Sequence, residues 1–402
     1  MKEKILFTPL KLRHMALKNR IIRSATYEGW GDSAGVPQPG LGELYADLGR
    51  GGVGGLITGF VFVAAEGRAM QKRQCAMDRD ELIEPWRWIV AKAKEAAPDM
   101  KIFMQLAHAG RQTCKEITGR PVIGASSKKC SYFRQRVRSL TEEEICRIID
   151  DFSWAANRAR QAGFDGVQIH AAHGYLIHQF LSPWTNQRKD RWADRPLFLE
   201  QVLKGVREHC GSNFPLLVKL SASEDVEQGI HVSDTIQTIQ HLKPFEVDAW
   251  EISYGTMEYA LNIIRGSVPM DAVFKINPLF SGIPKGVRWI WKKFLMPQYV
   301  KKFKPFSEGY NISAAVEIKK QTQEIVMVVG GLHSAAIMQD SLAVHGLDAV
   351  SLCRPLICEP DLPEKIRSGV ADRSACTKCN LCLIHCDGME SLRCYGKGGQ
   401  ET

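Results

Sequence analysis

The chain has 402 residues, of which 45% are hydrophobic and 24% charged, and its formal net charge is +9 at pH 7. A chain of this length can bury one large core or two. It has no apolar run long enough to span a membrane and no N-terminal apolar segment typical of a signal peptide, so we expect a soluble, cytoplasmic protein.

Both the positive charge and the cysteines are concentrated in short segments. Between residues 260 and 310, nine Lys or Arg stand against Asp271 and Glu308, and the difference gives this segment a net charge of +7. Five of the 12 cysteines lie between Cys376 and the end of the chain. In a long cytosolic chain such clustering favours metal binding over disulfides.

Short apolar runs alternate with amphipathic helical patterns along the chain. The runs predict eight strands, at 19–25, 51–59, 101–106, from 167, at 215–220, 247–253, 325–329 and 347–353. The patterns between them predict helices at 41–50, 79–97, 141–161, 190–210, from 233, at 312–323 and at 333–345. Such alternation implies parallel strands joined by right-handed crossovers, as in a TIM (β/α)8 barrel. We expect this α/β barrel over 1–370, with a basic helical insertion at 260–310 after strand six, and a Cys-rich tail at 371–402.

The fourth predicted strand leads directly into His170, His173 and Tyr175. Side chains at the carboxyl ends of barrel strands project into the mouth, where such folds carry their chemistry. Two imidazoles three residues apart can bind one oxygen atom, and a nearby phenol can donate a proton. The same residues could be rim histidines and a packed tyrosine, but their order directly after a strand favours the functional interpretation.

Polar residues at other strand ends would share this mouth. Gln105 ends the third strand, Lys219 lies in the fifth, Gly330-Gly331 ends the seventh and Cys353-Arg354 ends the eighth. Barrels commonly bind phosphate after strands seven and eight, where glycine admits backbone N–H groups and arginine binds bidentately. Each residue alone would be an ordinary solvated loop residue, but together they favour flavin mononucleotide (FMN) over other phosphate ligands.

Four motifs are characteristic of one known family. They are Asn19-Arg20-Ile21-Ile22, residues 105–112 (Gln-Leu-Ala-His-Ala-Gly-Arg-Gln), residues 170–176 (His-Ala-Ala-His-Gly-Tyr-Leu), and Val329-Gly330-Gly331 with Arg354-Pro355-Leu356. Together they resemble the Old Yellow Enzyme family of FMN-dependent ene-reductases, across most of the predicted barrel.

The resemblance assigns roles to the matching residues. It implies that His170 and His173 hydrogen-bond a substrate carbonyl and that Tyr175 is the proton donor. Lys219 would stand near N1 and O2 of the flavin, where relatives more often have Arg, and Tyr27 replaces a small Thr or Cys. The implied flavin-binding residues are Ser24, Ala25, Thr26, Tyr27, Gly59, Gln105, Lys219, Gly330, Gly331, Cys353 and Arg354.

The resemblance also implies an activity. NADH or NADPH would reduce FMN, which would then pass hydride from N5 to the β-carbon of an α,β-unsaturated carbonyl or enoyl thioester. His170 and His173 would stabilise the enolate, and Tyr175 would protonate the α-carbon.

The tail carries Cys376-x2-Cys379-x2-Cys382-x11-Cys394. It resembles the iron–sulfur motif of the 2,4-dienoyl-CoA reductase and trimethylamine dehydrogenase branch, but it is one residue shorter between the second and third cysteines. Cys386 could replace Cys394 as the fourth ligand, which gives the spacing found in bacterial ferredoxins. Four thiolates could also bind zinc, but we expect a [4Fe-4S] cluster, whose electrons come from a partner protein or from free reduced nicotinamide at the FMN.

Alternatives stay open for the activity and for the insertion. The same branch includes FMN/iron–sulfur dehydrogenases of amine-type substrates that pass electrons to an external partner. Dihydrouridine synthases are FMN barrels that act on RNA, but they use a Cys proton donor and a basic extra domain, so we expect no nucleic-acid partner. The 260–310 insertion could be a lid, bind an anionic substrate or partner, contact an anionic membrane surface, or simply be a packed helix with a solvated basic face. We expect a homo-oligomer.

Overall fold

The computed structural model describes residues 4–277, 280–301 and 303–396 of the chain. Its strands are β1 (Leu10–Lys11), β2 (Ala16–Leu17), β3 (Ile21–Arg23), β4 (Gly55–Phe62), β5 (Lys101–Ala107), β6 (Val122–Gly124), β7 (Val137–Ser139), β8 (Gly166–Ala171), β9 (Leu216–Ser221), β10 (Ala249–Ser253), β11 (Val326–Val329) and β12 (Ala349–Leu352). Eight of them, β3 to β5 and β8 to β12, close into a barrel in which all neighbours are parallel. The predicted eight-stranded TIM barrel is therefore confirmed.

Helices cover the outside of this barrel. They are α1 (Gly40–Arg50), α2 (Ile83–Ala96), α3 (Lys115–Thr118), α4 (Glu142–Gln161), α5 (Leu176–Leu181), α6 (Leu197–Cys210), α7 (Val232–His241), α8 (Ala260–Ile263), α9 (Met270–Ile276), α10 (Lys285–Ile290), α11 (Met296–Val300), α12 (Ile312–Thr322), α13 (Ala335–Ala343), α14 (Arg354–Cys358), α15 (Leu362–Ser368) and α16 (Leu381–Asp387). A π-helical turn, Trp291–Leu295, joins α10 to α11. The described part of the chain contains no helix long and apolar enough to cross a membrane.

The helices attach through apolar stripes at helical spacing. In α2 the buried side chains are Trp86, Ile89, Val90 and Ala93, which recur every three or four residues. At the amino end of the barrel, the β1–β2 hairpin packs its leucines against the inward side chains of seven barrel strands. Because that end is filled with apolar side chains, the opposite, carboxyl end is left for a ligand.

The predicted helix 190–210 is wrong in its first part. Arg191–Ala193 forms a 3₁₀ turn, capped by the Asp190 side chain, which accepts a hydrogen bond from the Trp192 N–H. The α-helix begins only at Leu197, after Pro196. Proline lacks the N–H that a helix interior requires, so it favours the start of a helix over its middle.

The predicted helical insertion after strand six is present as α8 to α11, between β10 and α12. One of its helices, α9, packs against α16 of the Cys-rich tail. The tail also packs Cys382, Cys386 and Leu392 against Tyr27, which lies at the barrel mouth. The insertion and the tail therefore both contribute to the surroundings of the same opening.

Candidate active site

A cleft with an empty volume of about 1280 Å³ opens at the carboxyl ends of the barrel strands. Ser24 and Gly59 do not line it. The Ser24 hydroxyl accepts a hydrogen bond from Lys219 Nζ at 2.9 Å, and the Gly59 N–H donates to the Glu28 carboxylate at 2.9 Å. The predicted residues that do line it are Ala25, Thr26, Tyr27, Gln105, His170, His173, Tyr175, Lys219, Gly330, Gly331, Cys353 and Arg354.

His170, His173 and Tyr175 lie side by side in this cleft. The ring centroids of His170 and His173 are 5.2 Å apart, and those of His170 and Tyr175 are 4.7 Å apart. His173 has a left-handed backbone conformation, with φ of 61°. Its N–H donates to Ser221 Oγ at 3.0 Å, and its Nε2 lies 2.7 Å from Ser253 Oγ. Ser221 at the end of β9 therefore holds the backbone of His173, and Ser253 at the end of β10 holds its ring.

Burial controls the protonation of all three side chains. Burial, the positive charge of Lys219 and the nearby His178 hold the pKa of His170 well below its usual range, and burial with the nearby His170 and Lys219 does the same for His173. Burial raises the pKa of Tyr175 above its ordinary value. At neutral pH the site therefore holds two neutral imidazoles, each with one N–H donor, and a phenol that keeps its proton.

A buried ionic network begins on the strand next to the histidines, where Lys219 of β9 pairs in register with His170 of β8. Lys219 Nζ is 3.1 Å from Glu251 Oε2, and these side chains are 3% and 0% exposed. Gln168 Nε2 donates to Glu251 Oε2 at 3.1 Å, and Gln105 Nε2 donates to Gln168 Oε1 at 2.6 Å. Sequence reasoning missed Glu251 and Gln168, although a carboxylate within the apolar strand 247–253 was a signal that a buried cation lay nearby.

The strand-seven and strand-eight loops form a narrow cradle. Gly331 has φ of 72°, and a Cβ there would lie 2.7 Å from Ser307 O and 2.8 Å from Tyr310 Cδ1. Arg354 lines the same end of the cleft, and its Nη1 donates to Asn380 Oδ1 at 2.6 Å. A glycine, an anchored guanidinium and an enclosed backbone suit an anion such as phosphate.

The tail also lines the cleft, which sequence reasoning did not predict. Leu383, Cys386 and Asp387 of α16 face the cavity. Gln71 Nε2 donates to Asp387 Oδ1 at 3.1 Å, and burial raises the pKa of the Asp387 carboxyl to about 6. No local signal predicts this contact, because it joins residues that are 316 positions apart.

Comparison with known proteins decides the family. The sequence pattern of the NADH:flavin oxidoreductase / NADH oxidase family matches residues 5–271. The chain belongs to this family. Its predicted resemblance to Old Yellow Enzymes is thereby confirmed.

Several known proteins are similar to most of the chain. A "Metal reductase" of Desulforamulus reducens is 30% identical over 99% of this chain and 54% of its own length. An "NADPH dehydrogenase" of Bacillus velezensis is 32% identical over 88% of this chain and 92% of its own length. The chain spans about half the length of the first of these two relatives.

Solved structures share the fold. A complex of 2-naphthoyl-CoA reductase with 2-naphthoyl-CoA has a TM-score of 0.80 at 21% identity, covering 96% of this chain and 56% of the other. An Old Yellow Enzyme homologue from Zymomonas mobilis has a TM-score of 0.68 at 24% identity, covering 92% of this chain and 94% of the other.

The predicted four-thiolate cluster is not confirmed. Among the described residues, no group of three or more His, Cys, Asp or Glu side chains is arranged to hold a metal ion. The pKa of the Cys382 thiol is raised to about 12, mainly by burial and also by the nearby thiols of Cys376, Cys379 and Cys394, whereas Arg354 opposes the rise. Cys386 instead turns toward the barrel, where its Sγ lies 3.6 Å from the Tyr27 carbonyl oxygen.

Proposed function

We propose that this family member binds FMN and reduces the C=C bond of α,β-unsaturated carbonyl or enoyl-thioester substrates, with NADH or NADPH as reductant. The observation that carries the proposal is the cleft in which neutral His170 and His173 adjoin a protonated Tyr175. A pair of N–H donors beside a proton donor suits a reaction that places negative charge on a carbonyl oxygen and then needs a proton on carbon.

The residues of the cleft fit FMN at both ends. Gly330, Gly331 and Arg354 would hold the phosphate, and Lys219 with Gln105 would face the polar edge of the ring system. His333 Nδ1 is buried without a hydrogen-bond partner among the described residues, and it also lines the cleft. An unpaired buried donor or acceptor is costly, so a polar ligand is expected there. When bound, FMN would supply the hydride that it takes from the nicotinamide.

The protein side chains would perform the remaining steps. The N–H groups of His170 and His173 would bind the substrate carbonyl oxygen and stabilise the negative charge that develops on it. The Tyr175 hydroxyl would deliver its proton to the α-carbon. Because the histidines are neutral, they would act as hydrogen-bond donors and leave the proton transfer to Tyr175.

An anaerobic absorbance experiment tests this function. Protein saturated with FMN is mixed with NADPH and then with cyclohex-2-enone. We expect the flavin absorbance to bleach with NADPH and to return with the enone. Flavin that is not bleached by NADPH but is bleached by an amine would contradict the proposal and favour the dehydrogenase alternative. Failure of the protein to bind FMN would refute both.

For the tail, we infer that Cys376, Cys379, Cys382 and Cys394 are the ligands of a [4Fe-4S] cluster. The mutual effect of these thiols on the Cys382 pKa and the separate position of Cys386 support this set. Iron and acid-labile sulfide should be found in anaerobically purified protein, and Cys382→Ser should remove both while Cys386→Ser retains them. Zinc without sulfide, or no metal after anaerobic reconstitution, would contradict it. A separate electron-transfer partner and a homo-oligomer stay predictions.

For the insertion, we infer contact with an anionic membrane surface. Seven of the 12 large hydrophobic side chains that are exposed among the described residues lie between Val287 and Val300. Residues 280–301 contain five Lys or Arg and no Asp or Glu. Lys293 Nζ lies 4.9 Å from the Trp289 ring and 5.6 Å from the Phe294 ring. Exposed aromatic rings with cations are typical of helices that bind anionic lipid surfaces.

Vesicle flotation tests the membrane contact. We expect the protein to float with phosphatidylserine-containing vesicles and not with pure phosphatidylcholine, and the double variant Trp289→Ser, Phe294→Ser to stay unbound. Trp154→Ser is the matched control, because Trp154 is 50% exposed on another helix. Equal loss of binding in the control, or no binding by the wild type, would contradict the inference.

A further inference from the structure

The last turn of α16 places a carboxylate inside the substrate cleft. Asp387 lines the cavity and is partly buried. Its Oδ1 accepts the hydrogen bond from Gln71 Nε2 at 3.1 Å. Gln71 lines the same cavity and is 8% exposed. Two polar side chains from distant parts of the chain therefore meet at this wall.

Both of these side chains retain an unused acceptor. Gln71 Oε1 is buried without a hydrogen-bond partner among the described residues. Among the described residues, Asp387 likewise forms no ion pair, and no hydrogen bond reaches its Oδ2; its Oδ1 has Gln71 as partner. A carboxylate that is removed from water without a cation or further donors is unfavourable. The pair is thus short of hydrogen-bond donors, which a ligand in the cleft could supply.

A row of rings separates this acceptor pair from the histidine pair. Ring centroids are 5.2 Å apart for His173 and His170, 4.7 Å for His170 and Tyr175, 5.7 Å for Tyr175 and Phe60, and 5.7 Å for Phe60 and Tyr27. Asp387 lies toward the Tyr27 end, because its neighbour Cys386 packs against Tyr27, with the Cys386 Sγ 3.6 Å from the Tyr27 carbonyl oxygen. The cleft therefore has hydrogen-bond donors at one end, aromatic rings along its length and acceptors at the other.

We propose that Asp387, with Gln71, is a specificity-determining residue that binds a cationic nitrogen of the substrate, at the end remote from the carbonyl. This inference rests on the proposed function, because it takes His170 and His173 as the carbonyl-binding end. A protonated amine supplies the charge that Asp387 lacks and an N–H for Gln71 Oε1. The preferred substrates are unsaturated carbonyl compounds that carry an ammonium group across an apolar ring.

Matched substrates test this assignment. The FMN-loaded protein is assayed at pH 8 with 4-(aminomethyl)cyclohex-2-enone and with 4-ethylcyclohex-2-enone, which has the same shape without the charge. A charge-assisted hydrogen bond corresponds to a preference of roughly 10- to 100-fold, so we expect kcat/KM to favour the amine by that factor, mainly through KM. Asp387→Asn should abolish most of the preference. Glu390→Gln, which removes an exposed acid of the same tail, should retain it.

The outcomes separate this inference from the proposed function. Reduction of both enones at equal efficiency would overturn the inference and leave the ene-reductase activity intact. A preference that survives in Asp387→Asn, or that is lost equally in Glu390→Gln, would also overturn it. If neither enone is reduced, calorimetric titration of the oxidised, FMN-loaded protein with the two compounds still tests the binding, and equal affinities would refute it.

Discussion

Replacing Glu251 with Gln tests whether this buried carboxylate stabilises the positive charge of Lys219 in the cleft. In the folded chain Glu251 is the counter-charge of Lys219, 3.1 Å away, and both side chains are almost completely buried. Glu251→Gln would leave an ammonium group buried without a negative partner. Loss of one member of such a pair costs about 3–5 kcal/mol, and we expect the free energy of unfolding to fall by this amount.

The same substitution should change how stability depends on pH. Burial alone would raise the pKa of Glu251, but the charge of Lys219 and hydrogen bonds from Ser24 and Lys219 outweigh it and lower the pKa. Such a carboxylate stabilises the fold above its unfolded pKa of about 4.3 and loses that contribution as pH falls through the lower, folded pKa. Glu251→Gln should therefore show a weaker loss of stability below about pH 4.

Urea denaturation of the FMN-free chain measures both effects, because flavin binding then contributes nothing to stability. Lys219→Met should also destabilise, since it leaves Glu251 unpaired. The double variant removes both charges and should recover most of the loss, because apolar replacement of a buried pair is often neutral. Glu390→Gln, at the surface, should stay within about 0.5 kcal/mol of wild type. A double variant that loses the sum of the two single losses would refute the reasoning.

Three further substitutions test the cleft. Tyr175→Phe should slow reoxidation of the reduced flavin by the enone roughly 10²- to 10⁴-fold in stopped-flow absorbance, while the rate of flavin reduction by NADPH stays near that of the wild type. An equal loss of rate in both half-reactions would contradict the role of Tyr175 as the acid. Gly331→Ala should weaken FMN binding at least about tenfold in a fluorescence titration, whereas Gly346→Ala, with a similar φ of 70° and no atom within 4 Å of the added Cβ, should not. Asn380→Ala removes the acceptor of Arg354 Nη1 and should weaken FMN binding by about tenfold; unchanged affinity would show that Arg354 needs no anchor.

The barrel and the histidine end of the cleft could be predicted because their signals are local. A buried parallel strand appears as a short apolar run, and alternation with amphipathic helices implies the closed topology. His170, His173 and Tyr175 lie within six residues and directly follow a strand, so their meeting requires only that the strand exists. The strand boundaries were less accurate. The predicted first strand, 19–25, shortens to Ile21–Arg23, and the Asn19 side chain accepts the Ile21 N–H at its start.

The acceptor end of the cleft could not be predicted, because its parts come from distant segments with no periodic signal. Gln71 lies in the loop after β4, and Asp387 lies in a tail that the cysteine spacing had marked for metal binding. The environment of Gly59 could not be predicted either. The family resemblance implied a flavin contact, which stays a prediction, and a bulge between β4 and β5 turns the Gly59 N–H toward Glu28. A one-residue bulge reverses the direction of a backbone group, and sequence pattern does not report it.

One short stretch of the tail contacts two separate parts of the cleft. Asn380, immediately before α16, accepts a hydrogen bond from Arg354 at the end proposed for the phosphate. Asp387, the last residue of α16, lines the wall proposed for the substrate. Cys382 and Cys386 are buried between these two contacts. A helix of seven residues behaves as a rigid unit at this length, so a shift of its cysteine-bearing side would move both contacts together. We therefore expect a group bound by the thiols of the tail to change flavin affinity and substrate preference together.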